Sequence, residues 1–256
     1  MMLIKRAILS SLAIKSLSST VMTTAFVSAS PSNRHTVRQF STAEATVTTD
    51  ADVLSDPMFI EPLTTIVQEG KKSPDELINI AKRFLQSSNG LGGDPNMLSE
   101  SFAFQGPVVG PLTKDAFVSA IGSVDFATAF PEWTPQFYGF FVDPLEAQQN
   151  RVWYTARGEG VNAGPLPPFA PEATNNKVVN PPQVCSLTIN HTTGLIERYT
   201  IGYVVDRDAG NTGGLGGLYG ILYALGKPLP FPEAQPWKMS LRYNLFQKLG
   251  NIIQSR

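Results

Sequence analysis

The segment from Leu98 to Ile121, LSESFAFQGPVVGPLTKDAFVSAI, constrains the fold of this chain more than any other. Phe102 and Phe104 alternate with Ala103 and Gln105, the period of a half-buried strand. Gly106-Pro107 and Gly110-Pro111 then stop any regular element, because proline lacks a ladder donor and glycine permits backbone angles closed to other residues. Thr113 has the position and chemistry of a helix N-cap, and Ala116, Phe117, Ala120 and Ile121 follow at helical spacing. The segment therefore predicts a strand, a tight turn and a helix in immediate succession.

Its flanks complete a pattern. Ser73-Pro74-Asp75-Glu76 supplies an N-cap, a first-position proline and the acidic residue of a capping box. Leu77, Ile80, Ala81, Phe84 and Leu85 then form one apolar face, which predicts a helix from Pro74 to Gln86 ended by Asn89-Gly90. Downstream, Phe130 to Pro135 reads as a loop and Gln136 to Val142 as an aromatic strand. Arg151 to Val161 returns as a strand with Val152, Tyr154 and Ala156 on one face and Trp153, Thr155 and Arg157 on the other. Residues 162–182 are proline-rich without periodicity and read as a long inserted loop, either a lid or a tolerated insertion. Gln183 to Ile189 and Leu195 to Val205 form a second strand pair across Asn190 to Gly194.

From roughly Ser73 to Gly226, this order of elements resembles the NTF2-like superfamily, and within it the SnoaL-like group, whose members share a similar strand, Gly-Pro, Leu-Thr and Lys-Asp-Ala-Phe segment. The resemblance implies an α+β fold: a cone formed by a strongly curved antiparallel sheet with N-terminal helices packed on it. It does not choose a function, since the superfamily holds dehydratases, isomerases, cyclases, transport factors and assembly domains. SnoaL-like enzymes place an aspartate near the end of the last strand, and Asp206 in Tyr203-Val-Val-Asp-Arg-Asp208 matches it. A carboxylate there works as a general acid or base if an apolar pocket raises its pKa. The competing reading makes Asp206 a turn residue, paired with Arg207 or Arg157. Strand parity bears on the choice: Tyr199, Ile201, Tyr203 and Val205 share one face, so Asp206 points away from an aromatic pocket unless a bulge shifts the register. Tyr138, Trp153, Tyr154, Arg157 and Tyr203 are the expected ligand contacts, and the family's habit of pairing sheets implies a homodimer. The histidine of the dehydratase branch has no counterpart, since His35 lies in the N-terminal segment and His191 in a hairpin turn.

Composition narrows the classes. A formal net charge of −1 over 256 residues argues against a nucleic-acid partner. Cys185 is the only cysteine, so there is no intramolecular disulfide, and its place in a strand predicts a small buried apolar residue. No carboxylates cluster at ligand spacing, and neither a metal nor a cofactor is expected. Gly213 to Gly220 invites a dinucleotide-loop reading, but Tyr219 stands where the third glycine belongs, and a close-packing turn into a helix over 215–225 is the better account. The expected divisions are 1–49, 50–72 (a linker with a helical turn near 60–69), 73–226, and 227–256, a proline-rich strap followed by a terminal helix with Leu241, Leu245, Phe246 and Leu249 on one side. Residues 1–49 carry Lys5, Arg6, Lys15, Arg34 and Arg38, many Ser and Thr, and one acid, Glu44: the composition of a targeting presequence. Val37 to Thr42 resembles a mitochondrial processing site, and Thr24-Ala25-Phe26 a plastid junction; the mitochondrion is the first expectation and the plastid the alternative. No apolar run approaches the ~18 residues of a membrane span. Three functions follow: binding of a small hydrophobic ligand or partner in a curved-sheet pocket; isomerase, cyclase or hydrolase chemistry on a small carbonyl compound with Asp206 as acid/base; or docking on a larger complex.

Overall fold

The structure is a computed structural model, and it describes residues 60–65, 69–145 and 149–254. The targeting expectation for 1–49 lies outside the described residues. The first helix, α1 (Pro74–Gln86), is capped as its sequence requires: the Ser73 hydroxyl accepts from the Glu76 amide while the Glu76 carboxylate accepts from the Ser73 amide. Its buried face is Leu77, Ile80, Ala81, Phe84 and Leu85, each large side chain contributing about 1.5–3 kcal/mol by leaving water. Strand β1 (Leu98–Gln105) and the two-residue β2 (Leu112–Thr113) bracket the Gly-Pro turn, and Thr113 caps α2 (Lys114–Gly122). A four-residue helix, α3 (Phe126–Ala129), follows. The chain then runs through β3 (Thr134–Val142), β4 (Arg151–Val161), β5 (Lys177–Val179), β6 (Gln183–Ile189) and β7 (Ile196–Val204), and ends with α4 (Gly217–Ala224) and α5 (Leu241–Gln254).

The strands form one strongly curved sheet in the order β2-β1-β7-β6-β4-β3, with β5 added on β4; β1 runs parallel to β7 and all other pairs are antiparallel. This is the helix-and-curved-sheet cone that the resemblance implies. Curvature has identifiable sources. A bulge at Gly139, φ +67°, keeps both Phe137 and Phe140 on the inner face while Tyr138 and Phe141 turn outward. A second register shift falls between Thr200 and Tyr203, at Gly202 with φ +91°. The inner face packs on α1 and α2: Phe84, Phe104 and Phe117 surround Tyr199 with ring centroids 5.4, 5.7 and 5.9 Å away.

Two regions differ from expectation. Residues 162–182, expected as a long loop without regular structure, are packed and include a strand. Leu166, Ala170 and Val178 are buried in a second apolar cluster with Phe126, Phe130, Ile221 and Leu222, and Val178 belongs to β5. Asn162, fully buried, holds the segment: its amide donates to the carbonyls of Ala129 (3.2 Å) and Gly164 (2.8 Å), and its oxygen accepts from the amide and hydroxyl of Thr174. A buried polar side chain with every group paired replaces the missing periodicity. The helical turn expected near 60–69 is not seen in residues 60–65, and 66–68 lie outside the described residues.

Candidate functional site

A cavity of about 570 Å³ lies between the inner face of the sheet, α2 and the glycine-rich segment that leads into α4. The sheet contributes Phe104, Phe137, Ala156, Gln183, Tyr199, Ile201 and Val204; α2 contributes Phe117, Ala120 and Ile121; Trp133 and Leu215 to Tyr219 close other sides. Trp133 stands over Gly158 and Gly160, where any side chain would strike its ring. The glycine-rich segment packs as the sequence reading of a close-packing turn requires: Gly216 lies against the Gly202 carbonyl, leaving no room for a Cβ. The first amide of α4, on Gly217, is satisfied by the Gln183 side-chain oxygen at 2.9 Å. A buried glutamine from β6 thus caps a helix that carries no cap of its own.

The polar inventory of the cavity is small. Asn180, 7% exposed, lies just beyond β5; its Oδ1 is buried and has no hydrogen-bond partner. Tyr199 Oη donates to the Leu91 carbonyl at 3.4 Å, and burial pushes its hydroxyl pKa up. Glu233 is the single carboxylate among the described lining residues, and it is exposed.

The expected site residues divide. Arg157 and Tyr203 are among the lining residues, Tyr203 donating to the Gly106 carbonyl at 3.4 Å. Tyr154 belongs to the core instead: its ring stacks on Phe140 at 5.3 Å, and its buried hydroxyl completes no hydrogen bond. Tyr138 and Trp153 stand on the outer face. Trp153 donates to Asp143 at 2.8 Å beneath the Arg151 guanidinium, and Tyr138 is 47% exposed on β3. Asp206 does not reach the cavity. The bulge that could have re-aimed it exists, at Gly202, and brings Val204 opposite Gln183 on the inner face. The strand ends at Val204, however, and two residues later Asp206 is an exposed turn residue whose Oδ1 accepts from the Asp208 amide at 2.9 Å. Cys185 is buried and its thiol is pushed up to about 12 by desolvation, so it packs and does not react. His191 is half-buried, with Nδ1 accepting from the Lys72 amide at 3.1 Å. Among the described residues no group of three His, Cys, Asp or Glu side chains could hold a metal, and no helix is long and apolar enough to cross a membrane. The signals that sequence reasoning missed are Gln183 and Asn180, single amides without any pattern around them.

No family model matches the chain, and no curated protein matches it. Among solved structures, AclR from Streptomyces galilaeus aligns at 14% identity over 72% of this chain and 97% of its own, with a TM-score of 0.43. TsrD from Streptomyces laurentii aligns at 15% identity over 61% of this chain and 99% of its own, TM-score 0.40. A protein from Jannaschia sp. CCS1 designated a SnoaL-like polyketide cyclase aligns at 13% identity over 50% of this chain and 85% of its own, TM-score 0.39. Other neighbours are designated a polyketide cyclase from Xanthomonas campestris, TM-score 0.38, and a ketosteroid isomerase from Kribbella flavida, TM-score 0.33. At such scores the likeness carries no information on reaction or ligand.

Proposed function

We propose that this protein binds a small, largely apolar molecule in the cavity, oriented by the side-chain amide of Asn180. The observation that carries the reading is an apolar space of about 570 Å³ whose lining residues include Asn180, a side chain with a buried, unpartnered amide oxygen. Ligand sites have this form: a mostly apolar enclosure of about 300–1,000 Å³ with a few placed polar groups. A ligand hydroxyl or N–H donating to Asn180 would remove the cost of leaving that oxygen unsatisfied. Binding is favoured over proton transfer because the lining holds no buried carboxylate among its described residues, and Asp206, the acid/base candidate, lies outside it. An organellar setting, from residues 1–49, and a homodimer through the outer sheet face, where Tyr138 and Phe141 are exposed, belong to the same proposal.

Equilibrium dialysis of the full chain against fused-ring phenols, from naphthol to steroid size, tests it. One-to-one saturable binding is expected for at least one member. Ala120→Trp, which fills space from α2, should weaken that binding at least about tenfold without lowering the melting temperature, since Ala120 is exposed on its helix. No saturable binding across the series, or a filled variant that binds like the wild type, would remove the proposal.

A further inference from the structure

Among the described residues, no side chain of the terminal helix α5 belongs to either apolar cluster of the domain. Leu241, Leu245, Phe246, Leu249 and Ile253 are between 51% and 86% exposed. At about 3.6 residues per turn they fall within one arc of about 140°, which Arg242 enters from the first turn, while Asn244, Gln247 and Asn251 occupy the opposite side. Ser240 caps the helix, its hydroxyl accepting from the Tyr243 amide at 3.2 Å, so the helix is defined locally and does not depend on a docking surface in its own chain. Charge is the second observation. Residues 234–256 carry Lys238, Arg242, Lys248 and Arg256 and no acidic residue, in a chain whose formal net charge is −1. Trp237, 63% exposed, lies under the Arg207 guanidinium at 4.9 Å and so fixes the start of this stretch beside the domain; Tyr243, 46% exposed in the first turn of α5, is an amphipathic ring of the kind that favours the headgroup level of a bilayer. Pro228, Pro230, Pro232 and Pro236 precede α5, in a strap held on the domain by buried Ala234 and by Phe231 against Tyr219, with ring centroids 5.7 Å apart.

We infer that α5 lies in the surface of an anionic membrane, with Leu241, Leu245, Phe246, Leu249 and Ile253 sunk below the headgroups and Lys238, Arg242 and Lys248 paired with lipid phosphates and carboxylates. An apolar stripe bordered by Lys248, with Arg242 at its first turn, Lys238 just before it and no acid, matches that surface in both polarity and sign. The helix is too short and too polar on one side to span a bilayer; it rests in the interface and tethers the cavity-bearing domain there.

The experiment is co-sedimentation of the full chain with phosphatidylcholine vesicles, with and without about 30 mol% phosphatidylserine. The wild type should sediment with anionic vesicles and far less with neutral ones. The exposed double substitution Leu245→Glu/Phe246→Glu should abolish sedimentation while leaving the melting temperature unchanged. Arg242→Gln/Lys248→Gln should weaken anionic binding by about thirtyfold, each cation near such a surface being worth about a factor of five. Because every variant keeps residues 1–49, vesicle binding through that basic segment would survive in them; variants that sediment like the wild type overturn the inference. So does a wild type that ignores anionic vesicles or binds neutral ones equally well. A dimer present in lipid-free buffer and lost in Leu245→Glu/Phe246→Glu would assign the face to a second copy of the chain and overturn it as well.

Discussion

Replacing Gln183 by Met removes one acceptor and keeps length and volume nearly constant. In the structure Gln183 is 4% exposed, and its oxygen is the partner of the Gly217 amide that opens α4. Without it, that donor faces the cavity. A buried donor left unpaired costs about 1–3 kcal/mol. Gly217 is itself only half-buried, so cavity water recovers part of the loss, and Met no longer carries an amide that must be desolvated. Both effects place the net cost near the lower bound, about 1 kcal/mol. For a domain of this size that lowers the melting temperature by about 2–4 °C. Differential scanning calorimetry together with urea unfolding reads it directly: the urea midpoint should fall while its slope stays constant, because α4 remains part of the cooperative unit. The same variant should weaken binding of any phenol found by dialysis, since α4 forms part of the cavity wall. A midpoint equal to or above that of the wild type would show that α4 needs no cap from the sheet, and would refute the reasoning that ties this helix to β6.

Two further expectations follow from the same geometry. Asp206→Asn should change stability by less than about 0.5 kcal/mol, because the carboxylate is exposed and its turn bond is one an asparagine oxygen can also accept; a clearly larger loss in urea unfolding would count against that placement. His191, whose pKa is lowered from 6.5 first by burial and then by Lys71 and Lys72, binds its proton later in the folded state than in the unfolded chain. Its contribution is therefore present above pH 6.5 and is lost as pH falls through 6.5 toward the folded value; His191→Gln should flatten the decline of urea stability with acid in that window, and an unchanged slope would count against it.

The fold was legible where local chemistry and tertiary demand agree. The capping box at Ser73 and the apolar face behind it define α1 to the residue, and β4 and β6 begin and end where their alternation does. The site was less legible, for reasons that can be named. Alternation assigns faces only until a bulge intervenes, and bulges at Gly139 and Gly202 sit in the two strands that carry Tyr138 and Tyr203. The sequence reading recognised that a bulge would decide the orientation of Asp206, but not that the strand would end first. Residues 162–182 show no period because their order comes from one buried asparagine and scattered apolar contacts with α3 and α4, which only the assembled chain brings together. Of the aromatics expected at the pocket, Tyr138, Trp153 and Tyr154 stand elsewhere, while Gln183 and Asn180, which are among the lining residues, are single amides with no neighbourhood signal.

The cavity wall runs from Gly90 to Glu233, and β1 finds its parallel partner β7 only through pairs such as Ala103 with Arg198. Contacts so distant along the chain form late, because the intervening loop must close before they are rewarded. A chain still emerging from the ribosome with its terminus before α4 can form β1 and α2, yet it has no closed pocket to offer. The pocket is in that sense a late product of synthesis: only a polypeptide translated through α4 and threaded into its final topology has the enclosure at all.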